Sequence, residues 1–594
     1  MYKVISTKLQ AHFKVVCAQL HSKKFFLLML FCGLFHLSEA QKISGKVTDV
    51  DSGEMLTGAV VIWQGTRAGT VTDIDGQFET TQPPGAKRLV ASYVGYVSDT
   101  IVYSGENFLE IKLKAMASGR TIIIEDDRAS TTMTTLNPLN FQTLGKKELC
   151  KAACCNLSES FETNASIDAS FADAITGTKQ IRMLGLDGKY TQMMFDNMPA
   201  IRGLASTYGL TYVPGPWVNN IYIGKGVGSV VGGFESITGQ INVEYKSPET
   251  AEPLYVNAYL GSSGRTELNL IWTPHSHNED VDHKTSDSEK NARERRSHFR
   301  PVFLAHGAMS SFRTDMNGDG FLDNPLFTNI ILRNEWHLST EKGLGAQFAA
   351  TWLKLNNVSG KLDYNPKDEI RSQLWGVNIA TDKYDLSAKV GYVFPKKTWK
   401  SFGSQYSASY HKQSGNFGYR QYTGEQVSGR VNLLFATRIK NDSHKITTGV
   451  SYLYDNFNER VFFKEFPPVL LSSMSLSRME SVGGAFAEYT MNWKERLIIV
   501  AGLRGDYHNR YGLFFTPRIH TRYSFTDKTS LKLLGGKGYR TANLLMDNVG
   551  ILASNRNFVV QGNDPDGYFG LKMEQAWNTG VILTHKFKIN HRDA

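Results

Sequence analysis

Cysteine is scarce in this chain of 594 residues: only Cys17, Cys32, Cys150, Cys154 and Cys155 occur. Two sit near the N-terminus and three form one short cluster, which excludes a disulfide scaffold. Proline is also sparse, 17 against 53 glycines. Beyond the extreme N-terminus no apolar run reaches the roughly 18 residues of a membrane helix, which excludes a helical membrane bundle. Long blocks of one charge sign are absent, which excludes wholesale disorder and a basic nucleic-acid footprint. The net charge of +10 is partly local, because Lys3, Lys8, Lys14, Lys23 and Lys24 are opposed by Glu39 alone. There is no Gly-x-Ser-x-Gly, His-Glu-x-x-His or phosphate-loop motif, so no catalytic set emerges. What is abundant is glycine and aromatic residues in short alternating segments, the composition of β-sheet.

Residues 1–40 read as a cleaved signal peptide. Lys23-Lys24 precede an apolar stretch, Phe25 to Phe35, and Ser38-Glu39-Ala40 places small residues at −3 and −1 of a cut before Gln41. The apolar stretch is too short to span a bilayer. Export is therefore expected.

Residues 41–116 predict strands at Ile43–Val47, Ala59–Trp63, Thr70–Thr72, Gln77–Glu79, Arg88–Tyr93 and Phe108–Leu113, with turns at Asp51–Gly53 and Asp75-Gly76. That density predicts a small β-sandwich. Ile43-Ser-Gly-Lys-Val47, Gly69-Thr-Val-Thr-Asp-Ile-Asp-Gly-Gln-Phe78 and Tyr93-Val-Gly-Tyr96 follow one another. In that order they resemble the carboxypeptidase-regulatory-like domain. The resemblance implies a spacer or docking module and no peptidase, since the segment holds no histidine. A polar linker, 117–135, contains Thr121, Ile122, Ile123, Ile124 and Glu125. This β-prone run suits strand addition to a partner's sheet edge, or is simply a linker with isoleucines.

Residues 136–250 are mixed. Lys146–Asn164 predicts a helix with Leu149, Ala153 and Leu157 on one face. Strands are expected at Lys179–Leu184, Thr191–Asp196, Ile221–Gly224 and Gln240–Tyr245. Three ordered motifs start at Lys179-Gln-Ile-Arg-Met, Thr191-Gln-Met-Met-Phe-Asp-Asn and Val227-Gly-Ser-Val-Val-Gly-Gly-Phe-Glu. They resemble the plug domain of TonB-dependent outer-membrane receptors of the Bacteroidota type. Arg182 and Asp196 fall on positions of those motifs, and an ion pair inside the plug is their alternative reading.

Residues 251–594 alternate with period 2. In Arg518–Phe525, Ile519, Thr521, Tyr523 and Phe525 interleave with Arg518, His520, Arg522 and Ser524. Arg430–Ile439, Ala485–Trp493 and Leu386–Phe394 behave alike. Lipid-facing and lumen-facing residues alternate in this way in a transmembrane barrel, whose closure removes open edges from hydrocarbon. Short connections (Ser339–Gly343, Pro395–Ser401, Lys440–His444, Lys494–Arg496, Phe525–Thr529) alternate with expected long loops. The long ones are Leu355–Tyr384, Gln413–Gln426, Asn456–Glu480, Asn509–Phe514 and Tyr539–Gly570. The pattern gives about fourteen strands, where the resemblance implies a barrel of about 22. The end, Phe587-Lys-Ile-Asn-His-Arg-Asp-Ala594, lacks the terminal aromatic residue of such barrels, so a C-terminally truncated product is expected. The fold expected is thus all-β dominated: an incomplete transmembrane antiparallel β-barrel with an internal α+β plug and an N-terminal β-sandwich.

Three clusters are candidate metal sites. Asp315, Asn317, Asp319 and Asp323, with the Phe321 carbonyl and the Gly320 turn, have calcium-loop spacing, although Leu326 stands where the bidentate acid belongs. The same spacing suits an Asx-rich turn without an ion. Cys150, Cys154 and Cys155 suit soft Cu(I) or Zn(II), or the packing of a plug helix. His275, His277, His283 and His298 fall in a hydrophilic insert that reads as a solvated loop.

The resemblance implies active uptake of a scarce ligand across the outer membrane, with an iron–siderophore first and haem, cobalamin or copper chelates behind it. Its implied partners are the TonB energy-transducing complex, pulling near Thr121–Glu125, a small-molecule or metal-chelate ligand, and outer-membrane lipid, with no nucleic acid. No cofactor is required, and calcium would be structural. The competing readings are a passive pore, a surface-binding protein, a barrel enzyme, or a non-functional truncated receptor.

Overall fold

The computed structural model describes residues 42–593 apart from 51–54, 116–130, 134–140, 150–155, 275–297, 465–470, 555–567 and gaps of three residues or fewer. The leader, Asp51–Gly53, Thr121–Glu125, the three clustered cysteines and His275, His277 and His283 lie outside the described residues. The chain divides into two compact units, Met1–Asp127 and Arg128–Ala594.

In the first unit two four-stranded sheets bury one face each. Lys42–Asp49 runs antiparallel to Gln77–Thr81 and parallel to Phe108–Ala115. Val60–Trp63 and Arg88–Ser92 are central in the other sheet, flanked by Gly69–Val71 and Asp99–Val102. Alternation selects the core: Ile43, Val47, Val61, Trp63, Leu89 and Ile111 are fully buried. The Asp75-Gly76 turn is fixed locally. The Asp73 carboxylate accepts from the amides of Asp75 (3.0 Å) and Gln77 (2.8 Å), and Gly76 takes φ +69°.

In the second unit, a six-stranded mixed sheet forms the centre of the plug, ordered Met198–Ile201, Thr191–Phe195, Gly239–Tyr245, Val218–Lys225, Phe141–Leu144, Thr131–Met133. Gly239 is obligatory there, since a Cβ would meet the Gly224 carbonyl oxygen at 2.2 Å. Ile167–Phe171, Lys179–Met183 and Leu186–Asp187 make a small second sheet. The helix expected over Lys146–Asn164 is corrected. Glu148 and Leu149 are helical, but Asn156 bridges to Pro214 and its side chain accepts from the Ser158 amide at 3.0 Å. That Asx turn diverts the backbone, and Glu159–Phe161 is a separate 3-10 turn.

Fourteen antiparallel strands in sequence order, from Leu254–Leu260 to Glu574–His585, wrap the plug. Their burial inverts that of a water-soluble sheet. In Gly512–Ser524, Arg518, His520 and Arg522 face the plug and are 4–8% exposed, whereas Leu513, Phe515 and Ile519 point outward at 48–63%. A lipid surroundings requires this inversion, because hydrocarbon rewards apolar side chains outside and the lumen holds the polar ones. Aromatic rings collect at the short-turn end, where Tyr392 meets Phe394 and Tyr523 meets Phe525, both at 5.0 Å between centroids. A second row, Tyr384 against Tyr410, lies further up the same strands. The stretch Tyr384–Tyr392 matches the about 9–11 residues of a tilted membrane strand. Among the described residues no helix is long and apolar enough to cross a membrane.

All five expected short turns are found, since strands end at Ser339, Val393, Arg438, Trp493 and Ser524 and resume within a few residues. The expected long loops are corrected. Half of Leu355–Tyr384 and nearly all of Gln413–Gln426 are strand, with only Gly418-Tyr419 between Ser401–Phe417 and Arg420–Arg438. Asn456–Lys464 and Leu471–Glu480 are likewise strand, and Asn509–Phe514 shrinks to a tight turn. Of Tyr539–Gly570, the described residues beyond Arg540 are connection. In the stretches that are strand one face stays buried, as at Gln413, Phe417, Tyr422 and Gln426, while the other carries Lys412, Ser414, Asn416, Thr423 and Glu425. A polar outer face over an inner face of mixed polarity erases the period-2 hydropathy signal without weakening the ladder.

Candidate functional site

Inward-facing charges tie the plug to the wall at three places. At the first, Arg202 reaches Glu235 within the plug (2.8 and 3.1 Å) and Asp455 on the wall strand His444–Lys464. Asp455 is completely buried, and Gln426, which donates to it at 3.0 Å, also accepts from the Leu204 amide at 2.9 Å. Burial alone would raise the Glu235 carboxyl, but the Arg202 guanidinium overrides it and holds the carboxyl below its ordinary range.

At the second, three wall arginines grip the glycine-rich segment 226–239 by its carbonyls. Arg518 donates to Ser229 (2.8 Å) and Phe234 (3.2 Å), and Arg430 to Gly232 (2.9 Å). Arg504 lies 3.5 Å from the Val230 oxygen. The Ser229 hydroxyl donates to Glu488 at 2.7 Å. Gly538 lets the wall approach here, because a Cβ would stand 2.3 Å from the Ser236 carbonyl oxygen.

At the third, Asp196 pairs with wall residue Arg333 at 3.2 Å, and Arg333 stacks over Tyr245 at 4.4 Å. Burial raises the Asp196 carboxyl, and Arg333 offsets this only in part. Nearby, His337 bridges Glu249 (2.9 Å) and Glu335 (2.6 Å). Burial would raise Glu249, yet the His337 hydrogen bond lowers it from 4.5 to about 2. A depressed carboxyl stabilises the fold above its unfolded pKa and loses that contribution as pH falls through its folded one. The attachment of residues 247–251 is therefore expected to be intact from pH 4.5 to neutrality and to loosen toward pH 2. Amide exchange of Thr250 and Ala251 across that range checks it, and flat protection would refute it.

Toward the end with the longer connections, plug and wall enclose a cavity of about 810 Å³. Its lining is rich in amides and hydroxyls, including Asn156, Thr178, Tyr208, Asn329, Asn357 and Thr381. Arg265, Glu267 and His306 add charge and a titratable ring. The size is that of an ordinary small-ligand site, about 300–1,000 Å³.

The structure disperses the residues singled out by sequence. Arg182 is on the exposed side of its strand, while Asp196 pairs with the wall and not with Arg182. In the 315–323 loop the Asp315 carboxylate accepts from the amides of Gly318, Asp319 and Gly320 at 2.8–3.1 Å. Asp319 caps Phe321, and Asp323 caps Met316. Among the described residues no three His, Cys, Asp or Glu side chains are gathered to hold a metal ion. Asp323 also lines the outer cavity. Arg202, Glu235, Arg333 and Asp455 escaped sequence reasoning. The parity that put Arg518 in the lumen was visible, but its plug partners were not.

A strand wall apolar outside and polar inside, filled by a plug, is the build of a bacterial outer-membrane β-barrel. Residues 303–585 match the TonB dependent receptor-like β-barrel family, and residues 43–125 match the CarboxypepD_reg-like domain. Residues 303–585 thus carry the barrel of a TonB-dependent receptor, with a carboxypeptidase-regulatory-like segment ahead of it in the sequence. TonB-dependent receptor P39 of Formosa agariphila is 36% identical over 93 residues, 15% of this chain and 9% of that sequence. Among solved structures, P. aeruginosa FpvA bound to a heterologous pyoverdine–iron complex superposes with a TM-score of 0.58 at 12% identity, covering 77% of this chain and 62% of FpvA. The siderophore receptor PirA from Acinetobacter baumannii gives 0.54 at 15% identity, with 76% and 68% covered. At these identities the superpositions establish the fold.

Proposed function

We propose that this chain acts in energised uptake of a scarce ligand across the outer membrane, the ligand being a metal chelate and first of all an iron–siderophore. The observation that carries the reading is the outer cavity of about 810 Å³, walled by plug on one side and barrel on the other. A plug pinned by buried ion pairs blocks free passage, so entry needs work done on the plug. The TonB complex supplies that work in this reading, acting near Thr121–Glu125. The amide- and hydroxyl-rich lining suits a polar chelate, and the solved proteins of this fold include receptors described as binding ferric pyoverdine or siderophores. The test is binding of a panel of ferric chelates to the purified protein by tryptophan quenching. Asn329→Trp, which puts a bulky ring into the cavity wall, is expected to weaken binding by about 100-fold or more, on the order of 3 kcal/mol. Unchanged affinity would remove the cavity as the site, and no binding by any chelate would remove the ligand class.

A further inference from the structure

Two more cavities lie between the plug and the same arc of wall. One, of about 120 Å³, touches Tyr212, Asp196, Tyr245, Arg333, Ser387 and His411. The other, of about 390 Å³, touches Asp196, Tyr245, Met194, Glu335, His337 and Lys389, toward the short-turn end. Tyr212 is common to the outer and the middle cavity, and Asp196 and Tyr245 are common to the middle and the inner. Each partition is therefore a few side chains thick. Tyr212 is 6% exposed, with its hydroxyl 3.3 Å from His411 Nε2 and the two rings edge-on at 5.8 Å. The second partition is the Asp196–Arg333 pair stacked on Tyr245. Toward the wall strands carrying Arg478 and Arg540 a smaller space of about 90 Å³ touches Arg202, Glu235 and Ile237 of the plug.

We propose that the three cavities are successive stations of one solute route between the plug and the wall strands Leu326–Phe417, with Tyr212 on His411 as its outer gate and Asp196–Arg333–Tyr245 as its inner gate. This rests on the uptake reading and names where the ligand passes. The middle station is far smaller than the outer one, so a ligand that fits the outer cavity advances only when the plug face carrying Tyr212 and Asp196 shifts. The middle station offers a passing polar solute a ready contact, since His411 Nδ1 is buried with no hydrogen-bond partner among the described residues.

Thiol accessibility tests the route in the full chain, with all five native cysteines replaced by serine. Single reporters are Ser387→Cys in the middle station, Met194→Cys in the inner one and Thr516→Cys on the opposite side of the plug. A membrane-impermeant maleimide is applied to intact cells. Tyr212→Ala is expected to speed labelling of the Ser387 reporter about tenfold or more, as local opening grows, with the Thr516 reporter unchanged. Tyr212→Phe, which keeps the ring, should leave both unchanged. Adding Asp196→Asn with Arg333→Gln should extend fast labelling to the Met194 reporter. The route is overturned if the Ser387 reporter stays slow while the plug remains protease-resistant. It is equally overturned if the Thr516 reporter accelerates in step, which marks a loosened plug. Gated labelling without chelate uptake would leave the route standing and sink the uptake reading, and energised uptake without gated labelling would do the reverse.

Discussion

Arg202→Ala should detach one flank of the plug. It leaves Asp455, fully buried, and Glu235, about one-fifth exposed, without their shared cation. Breaking a buried ion pair from one side costs about 3–5 kcal/mol, chiefly because the orphaned charge stays buried. The expected result is a rise of several orders of magnitude in amide exchange for residues 202–206, read by mass spectrometry on the protein in detergent. The cause can be separated from lost volume. Arg202→Met combined with Glu235→Gln and Asp455→Asn removes all three charges while keeping bulk, and should recover most of the protection. A triple variant as loose as Arg202→Ala would show that packing, and not the charges, holds this flank. Arg202→Lys should fall between, because an ammonium cannot reproduce the two-pronged contact with Glu235.

Arg518→Met should free the other flank. The guanidinium donates to the carbonyls of Ser229 and Phe234. Phe234 keeps the amides of Ser236 and Tyr539 at 3.1 Å, so the loss falls chiefly on Ser229, whose remaining donor, Gln240, lies at 3.5 Å. A buried acceptor so weakened costs about 1–3 kcal/mol. Arg430 and Arg504 still hold neighbouring carbonyls, so the segment 226–239 should open locally without general unfolding. Limited proteolysis checks this. A new cut within 226–239, with the barrel resistant, is expected, and uncut protein would show that Arg430 and Arg504 suffice. The losses at Arg202 and Arg518 should couple and not simply add, since their partners Glu235 and Phe234 are adjacent in the same segment.

The sequence by itself determined the strand number and the five short turns, because period-2 alternation and turn residues are local properties. Ile519, Tyr523, Arg518 and His520 declare their faces from position alone. It also placed the strands of the first unit, missing only Tyr96–Val97 and Asp99–Val102, both short and the second largely exposed. Where the outer face turns polar the hydropathy alternation ends, and Gln413–Gln426 reads as loop although its ladder is continuous. The helix expected over Lys146–Asn164 failed for a related reason: an apolar face at helical spacing carries no sign of the Asx turn that Asn156 makes with Ser158.

The candidate site was decided by tertiary structure alone. Asp196 and Arg333 lie 137 residues apart in the chain, and Arg202 and Asp455 lie 253 apart. No local pattern encodes which lumen-facing cation meets which plug carboxylate. That depends on how the plug is seated within the wall, and the same seating leaves the cavities. A barrel's alternation tells each residue whether it faces lipid or lumen, whereas partner choice inside the lumen follows from the three-dimensional register of two separately folded surfaces.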